Sequence, residues 1–442
     1  MGCTDVEAAK SRAAFEFVTQ MFDTIDPANA QGREPLVREV LDAAGVRVRT
    51  ALEGQPAVEA EIRSLLGQVY GRLGRVEPAR DNLLRALELR RSLGKGEDEA
   101  SLLLRYELAV HKANEGKMAE SLAAMREVHA ARAALLGRDH PDTIVALSNV
   151  GTLLKIVDEM EEAERVTREV VELQTRVVGP THRDTLDTRC GLADLLQQLG
   201  KLDEALRVSE LTSSDATAAL GADDPITLQS RSIQAAILVD LGRKAEGIEM
   251  ARDVLERRRR VLGAEHRDTL TTQNILGNRL ADEGRMEEAL PLLRDVVTRA
   301  TAVLGPEHPS TLSYSNNLAQ ALRRARLFDE AEPVYRRTLE VQRRTQGPTH
   351  RATLTTLNNL GIMLQQAGRP AEGLPLLEEC LAGLEATLPK DHWMLGASRT
   401  YVGSCLIDVG EHARAERVIG EAYSSLAEVM GARHTRTRTR RA

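Results

Sequence analysis

The chain has 442 residues, 42% hydrophobic but only 2% aromatic, so any core rests on aliphatic and small side chains, which suits thin helix-on-helix layers. A net charge of -7 with mixed signs argues against general nucleic-acid or membrane-surface binding, and no uncharged apolar run reaches the about 18 residues of a bilayer span. Four scattered cysteines without Cys-x-x-Cys spacing argue against a disulfide framework or zinc ribbon and fit a reducing, cytoplasmic compartment.

The N-terminus, MGCTDVEAAKSR, lacks the apolar stretch of a signal peptide. Gly2 and Cys3 invite a lipidation reading, but no apolar region precedes Cys3, and Val6 stands where myristoylation wants Ser or Thr. RAAFEFVTQMFDTI predicts a helix, DPANAQGRE a loop and PLVREVLDAAGVRVRTAL a second helix. Residues 1–54 are expected to form a helical cap, because end units of stacked repeats are atypical.

From residue 55 to 430 a period of 42 residues governs the chain. Gly137, Gly179, Gly221, Gly263, Gly305 and Gly347 keep it, and so does a second series that includes Gly116, Asp158, Gly200 and Arg326. Two further series are Gly or Ala with one Ser, among them Gly151, Ala193, Gly277, Ala319 and Gly361 in the third, and Ala163, Ala289 and Gly373 in the fourth. Nine repeats result. Each repeat reads as two helices. Leu147, Val150, Gly151 and Leu154 mark one face of a first helix, and MEEALPLLRDVVTRATAVLG is an amphipathic second helix closed by Gly305. The small residues let the two backbones approach closely. Such a hairpin cannot bury its apolar face alone, so neighbours must stack into an all-α solenoid. The tail at 431–442, GARHTRTRTRRA, has five Arg and no acid and is expected to be disordered, with contact to an acidic partner or nucleic acid as its one conceivable role.

The stretch from Leu304 to Arg369, beginning LGPEHPSTLSYSNNLAQALRRARLFDEAE, resembles the repeats of kinesin light chains and their bacterial relatives. That resemblance implies a right-handed superhelix of tetratricopeptide type whose concave face binds partner peptides. The N-terminal region, running into PAVEAEIRSLLGQVYGRLG, resembles the junction between kinase domain and repeat array in bacterial serine/threonine kinases.

Three chemical readings compete with the repeat. HRDTL at His182–Leu186 and again at His266–Leu270 looks like a kinase catalytic loop. Yet Arg189 and Gln273 stand where the metal-binding Asn belongs, and no DFG triplet follows. Six histidines share one phase: His140, His182, His266, His308, His350 and His392. Residues one repeat apart sit about 8–10 Å from each other, too far for one metal ion. Asp224 takes the same phase, and His140, Asp224 and His308 each precede Pro, so the position reads as the N-cap of each first helix. Cys190, Cys380 and Cys405 fall inside helical patterns and read as buried small hydrophobes. No enzyme motif or cofactor motif is present, and neither a small-molecule substrate nor a membrane partner is expected.

A ligand would lie along the first helices. Candidate groove residues are Asn149, Asn274, Asn278, Asn316, Asn317, Gln320, Asn358, Asn359, Gln365 and Gln366, with a basic cluster of Arg323, Arg324 and Arg326. Mid-helix Asn is a mediocre helix former, so its recurrence needs a reason. Either the amides bind peptide main chain, as the resemblance also implies, or they bond across adjacent first helices. The arginines suggest an acidic or carboxylate-bearing segment, or else form a solvated basic patch. Repeat five departs from the pattern, with Ile233 and Gln234. The expected function is a non-catalytic scaffold for partner peptides; the alternative is the sensor region of a bacterial kinase whose catalytic domain lies outside this chain.

Overall fold

The computed structural model describes residues 37–390 and 392–423, and all regular structure among them is helical. The expectations for Gly2, Cys3, the helix at 12–25, the loop at 26–34 and the tail at 431–442 lie outside the described residues.

Helix Val37–Ala51 leads. Pairs follow in chain order: Pro56–Arg72 with Val76–Ser92, Glu99–Asn114 with Met118–Leu136, Pro141–Ile156 with Met160–Val177, and Arg183–Gln198 with Leu202–Leu220; helices Pro225–Asp240 and Lys244–Leu262 come next in the chain. Then come Arg267–Asp282 with Met286–Leu304, Pro309–Arg324 with Phe328–Thr345, Arg351–Gln366 with Pro370–Thr387, and Trp393–Asp408 with a helical stretch at 412–423. In repeats six to eight the first helix has 16 residues and the second 18 or 19. No helix among the described residues is long and apolar enough to cross a membrane.

The junction sequence explains each helix start. His266 Nδ1 accepts from the backbone N–H of Asp268 at 3.2 Å, and His140, His182, His308, His350 and His392 do the same two residues on. Asp224 caps through its carboxylate at 2.9 Å. Asp98, in the same phase one repeat before His140, caps the second repeat by accepting from Ser101 N–H at 3.0 Å. The Asp of each HRD triplet is therefore a first-turn residue, where its charge favours the helix dipole. Threonines behind the cap bond backward: Thr185, Thr227 and Thr353 each donate to the carbonyl of the period glycine, all at 2.8 Å.

Between the two helices of a repeat the chain turns through a left-handed residue, usually Gly. Asp158 and Arg326 occupy that turn at φ 67° and 59°, a conformation that side chains resist. Where the helices of a hairpin meet, glycine is a steric requirement. A Cβ on Gly361 would lie 2.6 Å from Leu377 Cγ, and one on Gly277 2.8 Å from Leu293.

The chain divides into two compact bodies, Met1–Ile237 and Leu238–Ala442. In the first, Leu41, Ala44 and Val48 of the leading helix cover Ile62, Leu66 and Tyr70, and Tyr70 donates to Asp42 at 2.9 Å. In the second, the core runs through Leu293, Leu322, Tyr335, Leu357 and Leu360. Ion pairs tie successive second helices in both, such as Arg168–Glu204 at 2.8 Å and Arg294–Glu330 at 2.6 Å.

Candidate functional site

The side chains that could meet a ligand lie on the first helices, and in the second body they fall into two groups. The first group is spent on its neighbours. Asn317 donates to Asn274 at 3.1 Å, and Asn359 donates to Asn316 at 3.4 Å, each pair 43 residues apart. Thr356 also donates to Asn316 at 3.3 Å. These are rungs between the first helices of repeats six and seven and of seven and eight. Gln365 donates to Ser404 at 2.9 Å and to Asp408 at 2.6 Å. In the first body Asn149 donates to the Tyr106 hydroxyl at 3.1 Å and to the Val145 carbonyl.

The second group is uncommitted. The side chains of Asn278, Gln320 and Asn358 are half-buried and make no hydrogen bond among the described residues. Asn278 and Gln320 hold the same register in adjacent repeats, 42 residues apart. The sequence could not separate the two groups, because partnership depends on which residues face each other across neighbouring helices.

The arginines do not act together. Arg323 donates to Gln366 at 2.9 Å. Arg324 pairs with Asp282 of the preceding repeat. Arg326 sits in the left-handed turn, its guanidinium 5.9 Å from the Phe328 ring centroid. The three are adjacent in sequence but diverge because successive helical residues point about 100° apart and the third has left the helix.

Nothing nearby has the electrostatics of a reactive centre. Burial pushes the Cys190 thiol up to about 12 and those of Cys380 and Cys405 up to about 11. Thiols held protonated in this way are poor nucleophiles and poor ligands. Among the described residues no group of three or more His, Cys, Asp or Glu is placed to hold a metal ion. The phased histidines spend Nδ1 on backbone caps.

Among the described residues two half-open cavities bear on ligand binding. One of about 300 Å³ in the first body is rimmed by Arg80, Lys112, Lys117, Glu115 and Glu120, which pair with one another. The other, of about 220 Å³, lies between repeats eight and nine beside Asn358, with Trp393 and Tyr401 on its lining. Neither aromatic was among the sequence candidates; the visible signal for Trp393 is that it stands where repeats three to eight place Pro or Arg.

Family models described as tetratricopeptide repeat match residues 146–214, 276–340 and 310–386, residues 108–142 and 227–268, and residues 60–93. The chain is similar to a Podosopora anserina kinesin light chain protein with nearly identical TPR-like repeats, at 27% identity and TM-score 0.42, over 46% of this chain and 95% of that one. It shares its fold with the apo form of the quorum sensor NprR from B. thuringiensis, at 12% identity and TM-score 0.56, over 86% of this chain and 99% of that one. It also shares its fold with a signal-transduction ATPase from Pyrococcus horikoshii that carries a tetratricopeptide repeat sensor, at 13% identity and TM-score 0.54, over 85% of this chain and 54% of that one. No curated protein matches significantly. With tetratricopeptide models spread from residue 60 to 386 and the paired helices in register behind them, the chain belongs to the tetratricopeptide-repeat family.

Proposed function

We propose that this protein is a non-catalytic interaction scaffold that holds an extended partner segment along the first helices of repeats six to eight. The supporting observation is the pair Asn278 and Gln320, amides at one register in adjacent repeats with no internal partner. An amide both donates and accepts, so it can bond to main chain whatever the ligand's sequence. Packed helices lie about 8–10 Å apart and an extended chain advances about 3.3 Å per residue, so successive amides would meet roughly every third ligand residue. An acidic preference would rest on Arg324, whose guanidinium has donors to spare beside its partner Asp282 and can share them with a ligand carboxylate. The cytoplasmic placement follows the cysteine usage alone.

The test is peptide-array capture by the purified chain and by the Asn278→Ala/Gln320→Ala variant. Neither residue bonds within the fold, so the melting temperature should stay unchanged while captured signal falls on the order of tenfold. Equal capture of the same peptides would refute the proposal. The sensor-arm alternative rests on the N-terminal resemblance to kinase-to-repeat junctions, and an in-frame kinase domain upstream of Met1 would favour it.

A further inference from the structure

The rung pattern is broken at one place. Asn316 of repeat seven accepts from Thr356 and from Asn359 of repeat eight. One period on, the corresponding residues are Asn358, Ser398 and Tyr401. There the rung is not made. The Asn358 amide has no partner among the described residues. Ser398 is buried, 4% exposed, and its hydroxyl bonds to no nitrogen or oxygen; what faces it is the Cys380 sulfur. The Cys380 thiol borders the site, but its proton goes to the Leu354 carbonyl at 3.2 Å, and sulfur is a weak acceptor.

The space of the missing rung is the cavity of about 220 Å³. Leu354, Trp393 and Tyr401 make it largely apolar, and no charged side chain lines it. Trp393 and Tyr401 are 54% and 41% exposed, so the entrance is aromatic and open. Sites for drug-sized ligands run from about 300 to 1,000 Å³, so this one suits a single side chain. A charged group would be desolvated there without a counter-ion. A purely aliphatic group would keep the buried hydroxyl of Ser398 unsatisfied. A flat apolar ring with a hydrogen-bonding edge satisfies both conditions.

We propose that this cavity receives the side chain of a tyrosine from the bound segment, its ring against Trp393 and Leu354 and its hydroxyl bonded to Ser398 and Asn358. The proposal rests on the scaffold function above and adds a sequence requirement to it, a tyrosine just beyond the stretch held by the free amides.

Trp393 is the only tryptophan in the chain and reports on the cavity directly. Its fluorescence, excited selectively, should change saturably as N-acetyl-L-tyrosinamide is titrated into the full chain. N-acetyl-L-phenylalaninamide should bind on the order of tenfold more weakly, and N-acetyl-L-alaninamide should give no saturable change. Ser398→Ala removes a hydroxyl whose partner in the fold is at most the weakly accepting Cys380 sulfur, and it should erase the tyrosine-over-phenylalanine preference. Ala397→Leu, which fills the cavity, should abolish both responses. The proposal is overturned if tyrosinamide gives no saturable change, if the two aromatic probes bind equally to the unaltered chain, or if Ser398→Ala keeps the preference. Peptides captured through Asn278 and Gln320 without tyrosine enrichment would sink the cavity and spare the scaffold. Tyrosinamide binding with no captured peptide would sink the scaffold and spare the cavity.

Discussion

Replacing Gly361 with Ala should destabilise the protein although alanine is the better helix former. The propensity gain is about 1 kcal/mol. Against it, the new methyl would stand 2.6 Å from Leu377 Cγ and 2.8 Å from its Cδ2, where relaxed carbon contacts are about 3.5–4.0 Å. Leu377 is fully buried, so the clash has no exit to solvent. Overpacking of this kind costs about 1–3 kcal/mol, leaving a net loss of about 1 kcal/mol. Gly191→Ala is the matched control, since a Cβ there meets nothing within 4 Å, and it should gain about 0.5–1 kcal/mol. The chain supplies its own rescue. Leu83, Thr167, Leu293, Leu377 and Ile419, all branched, face glycines sixteen positions earlier, whereas Ala109, Ala193 and Ala319 are followed at that spacing by Met125, Ser209 and Tyr335. Gly361→Ala/Leu377→Met copies the Ala109/Met125 pair and should recover most of the loss, with a coupling energy of about 1 kcal/mol. Urea denaturation followed by circular dichroism measures these three variants and Leu377→Met alone, with midpoints compared at constant slope. If Gly361→Ala stabilises as Gly191→Ala does, or if the double variant equals the sum of the singles, the close-approach account of the glycine series is wrong.

Other perturbations probe separate parts of the fold. His266→Ala removes a cap and should cost about 0.5–2 kcal/mol, while His266→Asp, the residue found at 224, should restore it; thermal melts distinguish the two. Asp158→Gly and Arg326→Gly relieve left-handed turns and should each raise the melting temperature, by about 1 kcal/mol in stability terms. The Glu332 carboxyl is held below its usual 4.5, chiefly by a hydrogen bond from Arg369, with burial opposing and Arg336 assisting. A carboxyl depressed on folding stabilises the protein above its unfolded value and loses that contribution as pH falls through the folded one. Glu332→Gln should therefore be less stable than the parent at pH 7, with the gap closing as melts are taken into the acid range below 4.5.

Much of the architecture is legible in the chain because its determinants are local or strictly periodic. The caps at His140 to His392 follow from junction position, and the Asp224 exception identifies their role. Asp98 escaped because its junction lacks the His-Pro signature. The Gly and Ala series reveals a close approach without saying which leucine lies opposite. The groove was only half legible. Asn274, Asn317 and Asn278 are the same residue type on the same kind of helix, yet the first two bond to each other and the third is free. At the 43-residue offset of that rung Asn278 meets Ala321, which has no polar side-chain atom, and the offset is visible only once neighbouring helices are set side by side. The three arginines separate for the converse reason, since closeness in sequence is divergence on a helix.

The rungs and ion pairs have a genetic corollary. Asn317 bonds 43 residues back, Arg294 reaches 36 residues ahead, and Arg324 pairs 42 residues back. Each partnership is thus written relative to the copy next door. Losing or duplicating one whole period within a body would leave these offsets intact, whereas a shorter insertion would break every partnership that spans it, putting the donors of one repeat opposite the wrong acceptors of the next. Such a coding sequence can change length safely only in whole copies, and unequal recombination between the copies is a process that makes changes of that size.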